Sequence, residues 1–549
     1  MNDKTKKIII NFIVIVLILA GEITFFHNIL LNDALIGYRI DSKLNTFFVE
    51  HWYQVFCGNE TWTELGCFYP ASHVLSYSDM MLGFAFPYAV FRSFGMNMYM
   101  ALKWAVILIH VIGSFSMYYF MKKCLKVAEI PALIAVIAFS LSNGYYFVMV
   151  NVQMAYISIL PLMFIFIYFY WKNLQNRRRF FYGLTALILL VMQFYTAFYV
   201  GYLFLLMILL SVPAVIITVL TCRKKIWMEV IFNSVKERWK DIISFMVLGV
   251  FLMIPFAYLY LPTLARTGGR EWNDVLIFMP GIKQVLGIEE ADKSLMALQQ
   301  LDESKYNLTL GIPWIDLLIF FALFLTFIWI YCIRKREISD IVKVSIILLS
   351  LLIILLLPLG FEFQGHSLWY VIYRLIPGAS AIRAVMRWYN LLTVPLAIVS
   401  GILVHKVFSD KIKGKQIFSL IIAVVIFFSN WFPTGTCSEW SVSEEEEFVL
   451  NVTPPPEDCE IMYLTDKGST SDVIDAELQM DSWTIAQYFH IDTLNGYSGQ
   501  EPQGWNVRVK DVKAAEEAEK WLRKNNIYDR NVYAYDIGSK EWTKLNYEE

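Results

Sequence analysis

The chain has 549 residues, of which 57% are hydrophobic and 17% charged. A water-soluble domain carries about 45–50% apolar and about 25% charged residues, so the apolar excess is expected in lipid and not in several soluble cores. The formal net charge is −2, from 46 Lys and Arg against 48 Asp and Glu. That balance excludes a simple polyanion-binding protein, because no net field draws nucleic acid.

An α-helix needs about 20 mostly apolar residues to cross the hydrocarbon core. Such stretches occur at 8–26, 97–120, 130–147, 154–171, 180–195, 199–221, 242–261, 313–333, 341–358, 388–408 and 416–432. Eleven spans are therefore expected; the pair 180–195 and 199–221 also reads as one re-entrant unit. The first stretch lacks a small-residue cleavage site and is read as a retained anchor.

Lys and Arg mark the cytoplasmic side of a multi-span protein. With the N-terminus inside, the inner segments hold 24 of the 46 cations, from Lys4, Lys6 and Lys7 to Lys411, Lys413 and Lys415. An odd number of spans then puts the C-terminus outside. Cys124, Cys222 and Cys332 fall at inner ends, whereas Cys57/Cys67 and Cys437/Cys459 form two outer pairs whose bridging stays open. The fold class expected is a polytopic α-helical membrane protein with about 11 transmembrane helices, N-in and C-out. Residues 1–432 form its membrane domain, and 433–549 form a small extracytoplasmic α/β domain.

Three long segments, 27–96, 262–312 and 360–387, lie on the outer side, so the chemistry is expected there. The inner segment 222–241 reads as an amphipathic surface helix. No Walker loop, GxGxxG, HExxH or kinase signature is present, which excludes the usual nucleotide-driven machinery. In the tail, FVLNV and EIMYLTD read as strands and DVKAAEEAEKWLRKNN as a helix starting near Asp511. Trp369, Tyr370, Trp388 and Tyr389 are expected in an aromatic interface belt, and Pro377–Gly378 marks a helix break. Glu22 and His110 are ionisable groups inside spans. Glu22 is near enough to the outer end to snorkel, and His110 needs a bundle partner that the sequence does not name.

In the first outer loop, Asp41, Asn45, Glu50 and His51 form D-x-x-x-N-x-x-x-x-E-H, followed by FYP at 68–70 and Y-S-D-x-x-x-G containing Asp79. By spacing alone these are solvated loop carboxylates. Downstream come Asn151-Val-Gln153 before Leu160–Pro161, GGRE at 268–271 with Arg270 and Glu271, LIPGASAIRAVMRW at 375–388, and LNGYSGQEP at 494–502 with Asn495 and Tyr497. This ordered set resembles bacterial polytopic membrane proteins of the GT-C glycosyltransferase superfamily, which use polyprenyl-phosphate-linked sugars. Two positions depart from the pattern: Lys43 stands where Arg is common, and Asn151 where His is.

The resemblance implies a glycosyltransferase of the cytoplasmic (plasma) membrane with its active face extracytoplasmic. It implies a polyprenyl-phosphate sugar donor, a cell-envelope glycan or lipid acceptor, membrane lipids around the chain, and a hexosyl or pentosyl transfer that inverts the anomeric centre. It makes Asp41 the first choice for general base, with Glu50 and Asp79 as a second carboxylate, an acceptor ligand or a metal ligand. No cofactor is required by the sequence, which leaves a divalent cation open. Asn45, His51, Gln153, Arg270, Glu271, Asn495 and Tyr497 complete the expected substrate contacts. The donor phosphate is best sought at Arg383 and Arg387, four apart and so on one face of a helix; the alternative is that both snorkel to lipid headgroups. Two other functions compete: an envelope-lipid transporter or flippase, and a catalytically inactive relative acting as an assembly partner.

Overall fold

The computed structural model describes residues 3–142, 151–172, 178–221, 224–286, 312–408, 414–430, 437–466 and 474–545. Among them, nine helices are long and apolar enough to cross a membrane. Each expected span coincides with a helix: the nine, plus the shorter apolar helices Glu129–Ser140 and Lys415–Asn430, whose sequence stretches run on into residues outside the described set. The stretches at 180–195 and 199–221 are separate helices, broken at Ala197, whose backbone turns extended (φ −141°, ψ 97°).

The protein divides into two compact units. One comprises Met1–Leu31, Val106–Ile254 and Gly268–Thr436; the other comprises Asn32–Ala105, Pro255–Thr267 and Cys437–Glu549.

The centre of the first unit is the helix Arg387–Val407, whose span is 83% buried. Gly401 makes that packing close: a Cβ there would meet the Pro131 carbonyl oxygen and the Met121 Cε at 2.7 Å. Helices in lipid have little hydrophobic drive to associate, so small residues that admit a neighbour's backbone supply the dispersion contact. Trp388 and Tyr389 do not form an interface belt. Both are fully buried, with Trp388 Nε1 donating to the Leu356 carbonyl at 3.0 Å and the Trp369 ring 5.6 Å away edge-on. Of the four belt aromatics only Tyr370 is exposed. A one-dimensional pattern does not separate an aromatic facing lipid from one facing a neighbouring helix.

His110 and Glu22 turn out to be each other's partners. His110 Nδ1 lies 2.6 Å from Glu22 Oε2, Ser114 donates to the same carboxylate, and Ser114 also bonds Ser140 at 2.6 Å. All four side chains are buried, and Phe25 stacks on the imidazole at 4.8 Å. A polar group in an apolar interior is tolerated when it is hydrogen-bonded; here three helices share one network. Glu22 therefore points into the bundle and does not snorkel. The amphipathic segment at 222–241 is likewise not a separate surface helix. Lys224–Thr267 is one 44-residue helix, because no Gly or Pro interrupts it between the amphipathic part and the span.

In the second unit β1 (Ala34–Ile36) pairs antiparallel with β2 (Cys437–Ser441). A four-stranded sheet has the order β4-β3-β5-β6, where β3 is Ile461–Thr465, β4 Asp492–Thr493, β5 Val532–Asp536 and β6 Glu541–Lys544. β3 is central, parallel to both neighbours and buried at every residue, whereas β5 and β6 run antiparallel. The helix Asp475–Phe489 packs Leu478, Ile485 and Ala486 against Met462 and Leu464.

EIMYLTD is thus a strand as expected, but FVLNV is not: its first three residues end the helix Val442–Leu450. A capping box decides this. Ser441 Oγ accepts from the Glu444 N–H at 2.9 Å, and Glu444 Oε2 accepts from the Ser441 N–H at 3.1 Å. The acidic first turn also suits the helix dipole. The tail helix expected from near Asp511 begins at Ala514, three residues later. Cys57, Cys67 and Cys459 are free thiols; Cys222 and the Cys437 side chain lie outside the described residues.

Candidate functional site

The first-loop helix Arg39–Cys57 carries Asp41, Asn45, Glu50 and His51. It starts from an extended Tyr38 and stops at Gly58, whose left-handed backbone (φ 81°) lets its N–H cap the Gln54 and Val55 carbonyls. Asp41 sits half-buried in the first turn, where a carboxylate faces the positive end of the helix dipole. The Tyr38 hydroxyl is within electrostatic range of Asp41, Glu477 and Tyr497. Burial first, then these groups, hold its pKa well above that of an ordinary phenol. Tyr38 thus stays a neutral O–H donor beside Asp41. Asp41 and Tyr497, far apart in sequence, both lie within electrostatic range of the Tyr38 hydroxyl. Asn45 is buried one turn further on.

Glu50 is in a different environment. Arg92 grips it through Nε at 3.0 Å and Nη2 at 3.2 Å, Gln54 donates at 2.7 Å, and the buried Tyr88 hydroxyl donates as well. Both of its oxygens are engaged inside the fold, by an ion pair and two neutral donors. The ring of His51 is fully buried, with Nδ1 2.5 Å from Glu60 Oε2 and no protein partner for Nε2 among the described residues. Asp79 is buried just after the short 3₁₀ helix Val74–Tyr77, next to Ser78, whose carbonyl accepts from Tyr260 at 2.6 Å.

The N-G-Y-S-G element packs onto the F-Y-P element. Phe68 and Tyr69 donate their N–H groups to the Asn495 and Thr493 carbonyls at 2.9 and 3.0 Å. Gly496 is required there, because a Cβ would enter the Phe68 ring at 2.6 Å. Asn495 is fully buried: its amide donates to Gln479 at 2.9 Å, and its carbonyl accepts from Leu464 N–H at 2.7 Å and Ser482 at 3.0 Å. Asn495 shapes the loop, and Tyr497 is the half-buried member that remains at its surface.

The basic residues of the other unit form a second group. The helix break at Pro377–Gly378 is present, Gly378 having a left-handed backbone (φ 81°), and the helix resumes only at Arg387. Arg383 and Arg387 therefore do not share a helical face, because Arg383 lies in the preceding loop. Tyr199 unites them instead. Its hydroxyl accepts from the Arg383 N–H at 3.2 Å, and its ring lies 4.4 Å below the Arg387 guanidinium. Arg387 Nη2 also donates to Asn151 Oδ1 at 2.9 Å, so the departure at Asn151 supplies an acceptor for this arginine. The exposed Arg383 guanidinium lies over Phe278 at 4.4 Å. Gln153 is buried in the 3₁₀ helix that Asn151 begins.

GGRE is tied to the same loop. The Arg270 N–H donates to the Ser380 carbonyl at 2.8 Å, and Tyr373 donates to the Arg270 carbonyl at 2.8 Å, while Glu271 is exposed. The exposed Arg374 pairs with Tyr370, and His366 lies in an exposed turn. Tyr38 and Tyr199 organise the two groups, yet neither stands in a motif that marks it. Among the described residues no three His, Cys, Asp or Glu side chains converge as a metal site.

No family model matches the chain, and no curated protein matches it. Solved structures similar to it include the oligosaccharyltransferase of Archaeoglobus fulgidus, in complex with zinc and sulfate. That likeness has 12% identity and a TM-score of 0.47, over 94% of this chain and 67% of that one. ArnT from Cupriavidus metallidurans, bound to undecaprenyl phosphate, is similar at 11% identity and a TM-score of 0.31, over 90% of this chain and 86% of that one.

Proposed function

We propose that the protein is a GT-C-like membrane glycosyltransferase that moves a sugar from a polyprenyl-phosphate donor to a glycan or lipid acceptor of the cell envelope, on the outer face of the plasma membrane. The observation that carries the reading is the placement of Asp41. It is half-buried in a helix's first turn, within electrostatic range of the Tyr38 hydroxyl, which Tyr497 of the N-G-Y-S-G loop also influences.

In the reaction the Asp41 carboxylate takes the proton of the acceptor hydroxyl. The acceptor oxygen attacks the anomeric carbon from the face opposite the phosphate. The bond between that carbon and the phosphate oxygen breaks, and the electron pair leaves on the polyprenyl phosphate. A single displacement inverts the anomeric centre, with no covalent sugar intermediate. Arg387 and Arg383 are the residues we assign to the phosphate, because a planar guanidinium matches phosphate oxygens in a two-point contact. Tyr38, as a neutral donor, orients the acceptor.

Transfer from labelled lipid-linked sugars in membranes tests the reading. Asp41→Asn is expected to lower kcat by about 10²-fold or more, in the range typical of general bases. Full activity in that variant sinks the base assignment. The buried Glu22–His110 network favours transport as a second reading, since ionisable groups inside a bundle often line a substrate or proton path. Lipid translocation by reconstituted protein that Glu22→Gln abolishes, with no sugar transfer detected, would establish it instead.

A further inference from the structure

Arg39 and Lys43 stand one turn apart on one face of the first-loop helix. Lys43 is only 1% exposed, and its Nζ lies 2.5 Å from both Glu445 Oε2 and Asp481 Oδ1. Arg39 reaches Glu445 Oε1 at 2.7 Å, Glu477 Oε2 at 3.2 Å and Asp481 Oδ1 at 3.4 Å. Its guanidinium also lies 4.1 Å over the Trp440 ring, and Phe47, one turn beyond Lys43, packs on Trp483 at 5.0 Å. Three carboxylates from two tail helices therefore hold two cations of the first-loop helix. Lys43, sealed inside this cluster, does not contact substrate.

Asp41 stands two residues from each cation, about 200° away around the helix at 3.6 residues per turn. The clamped face thus fixes the direction in which the opposite face presents Asp41. Glu477 pairs with Arg39 and, like Asp41, lies within electrostatic range of the Tyr38 hydroxyl. The cluster holds three carboxylates against two cations, so removing one of the carboxylates changes the field at Asp41.

We propose that Arg39 and Lys43 are positioning residues for Asp41, acting through Glu445, Glu477 and Asp481, so that the tail 437–549 is a working part of the base site and not an appended module. The proposal rests on the reading of Asp41 as the base.

The test uses the full-length protein in membranes. Lys43→Met/Asp481→Asn removes one charge of each sign at nearly constant volume. It is expected to lower kcat at least about tenfold with the donor KM within twofold, since small displacements of a catalytic group are costly. Asp481→Asn alone lessens the negative surplus and is expected to move the acidic limb of the kcat–pH profile to lower pH. A fold-stabilising role alone would not move that limb. Maleimide labelling of Asp41→Cys, read on its own peptide by mass spectrometry, reports the clamp without any activity. The rate is expected to change severalfold once Lys43→Met/Asp481→Asn is added. Should the paired variant not fold, Lys43→Arg, which keeps the charge in a different geometry, is read by the same measures.

Unchanged kcat, pH limb and labelling rate overturn the proposal. Full activity of Asp41→Asn overturns the base reading alone, because the labelling still reports on the clamp.

Discussion

Removing Arg92 tests whether Glu50 serves structure or chemistry. The pair is 3.0 Å apart, and the side-chain exposures are 26% for Arg92 and 8% for Glu50. At an effective dielectric of about 20, the attraction at that distance is about 5.5 kcal/mol, most of which offsets desolvation. Breaking a buried pair by deleting one partner costs about 3–5 kcal/mol, because the other charge is stranded. Arg92 is a quarter exposed, so water screens part of this, and Arg92→Ala is expected to cost about 2–3 kcal/mol. For a unit of roughly 200 residues that is a fall of about 4–12 °C in Tm. Glu50→Met/Arg92→Met removes both charges and should recover most of the loss. The assay is thermal unfolding of detergent-solubilised protein, followed by size-exclusion recovery. Two results refute the reasoning: an unchanged Tm for Arg92→Ala, or a Glu50→Gln variant that melts like the wild type yet has lost sugar transfer. The second would return Glu50 to the catalytic set.

Asp492 gives a pH-dependent prediction. Burial first, then the Glu60 and Glu64 carboxylates against the opposing Arg530, push its pKa up to about 6. A raised carboxylic acid favours the fold while protonated, so its contribution is lost as pH rises from about 4 to about 6. Asp492→Asn should therefore stabilise by about 1–2 kcal/mol at pH 8 and leave stability at pH 4 unchanged, as measured by melting at the two pH values. Arg387→Met is expected to raise the donor KM about tenfold or more, as loss of a charge-assisted phosphate contact does. A larger effect on kcat than on KM would place this arginine elsewhere in the reaction.

Features set by local chemistry were legible in the sequence. Apolar length located the nine helices long enough to span and the two shorter apolar ones, whereas Asp41, Asn45, Glu50 and His51, read by spacing as solvated loop groups, lie on one helix. What escaped depends on partners distant along the chain. Lys43 read only as a departure from a common Arg, and its role shows once its acids, 438 residues away in the case of Asp481, are in place. His110 had no partner until Glu22 was brought against it. Arg383 and Arg387 have helical spacing, but the turn after Pro377–Gly378 delays the helix, and a tyrosine from another segment brings the two together. FVLNV has strand composition, and a capping box a few residues earlier overrides it.

The Glu22–His110 contact also bears on how the chain is made. Glu22 leaves the ribosome 88 residues ahead of its partner. At about 5–20 residues per second, roughly 4–18 s pass before His110 is synthesised. Throughout that interval a helix carrying a mid-bundle acid has no intramolecular neighbour to satisfy it, and an acid at the centre of an isolated helix costs about 2.5–3.5 kcal/mol to insert. The nascent first helix is thus expected to linger at the insertion machinery, or to carry a proton, until the second span arrives. Slowing translation between the two should prolong its cross-linking to the translocon.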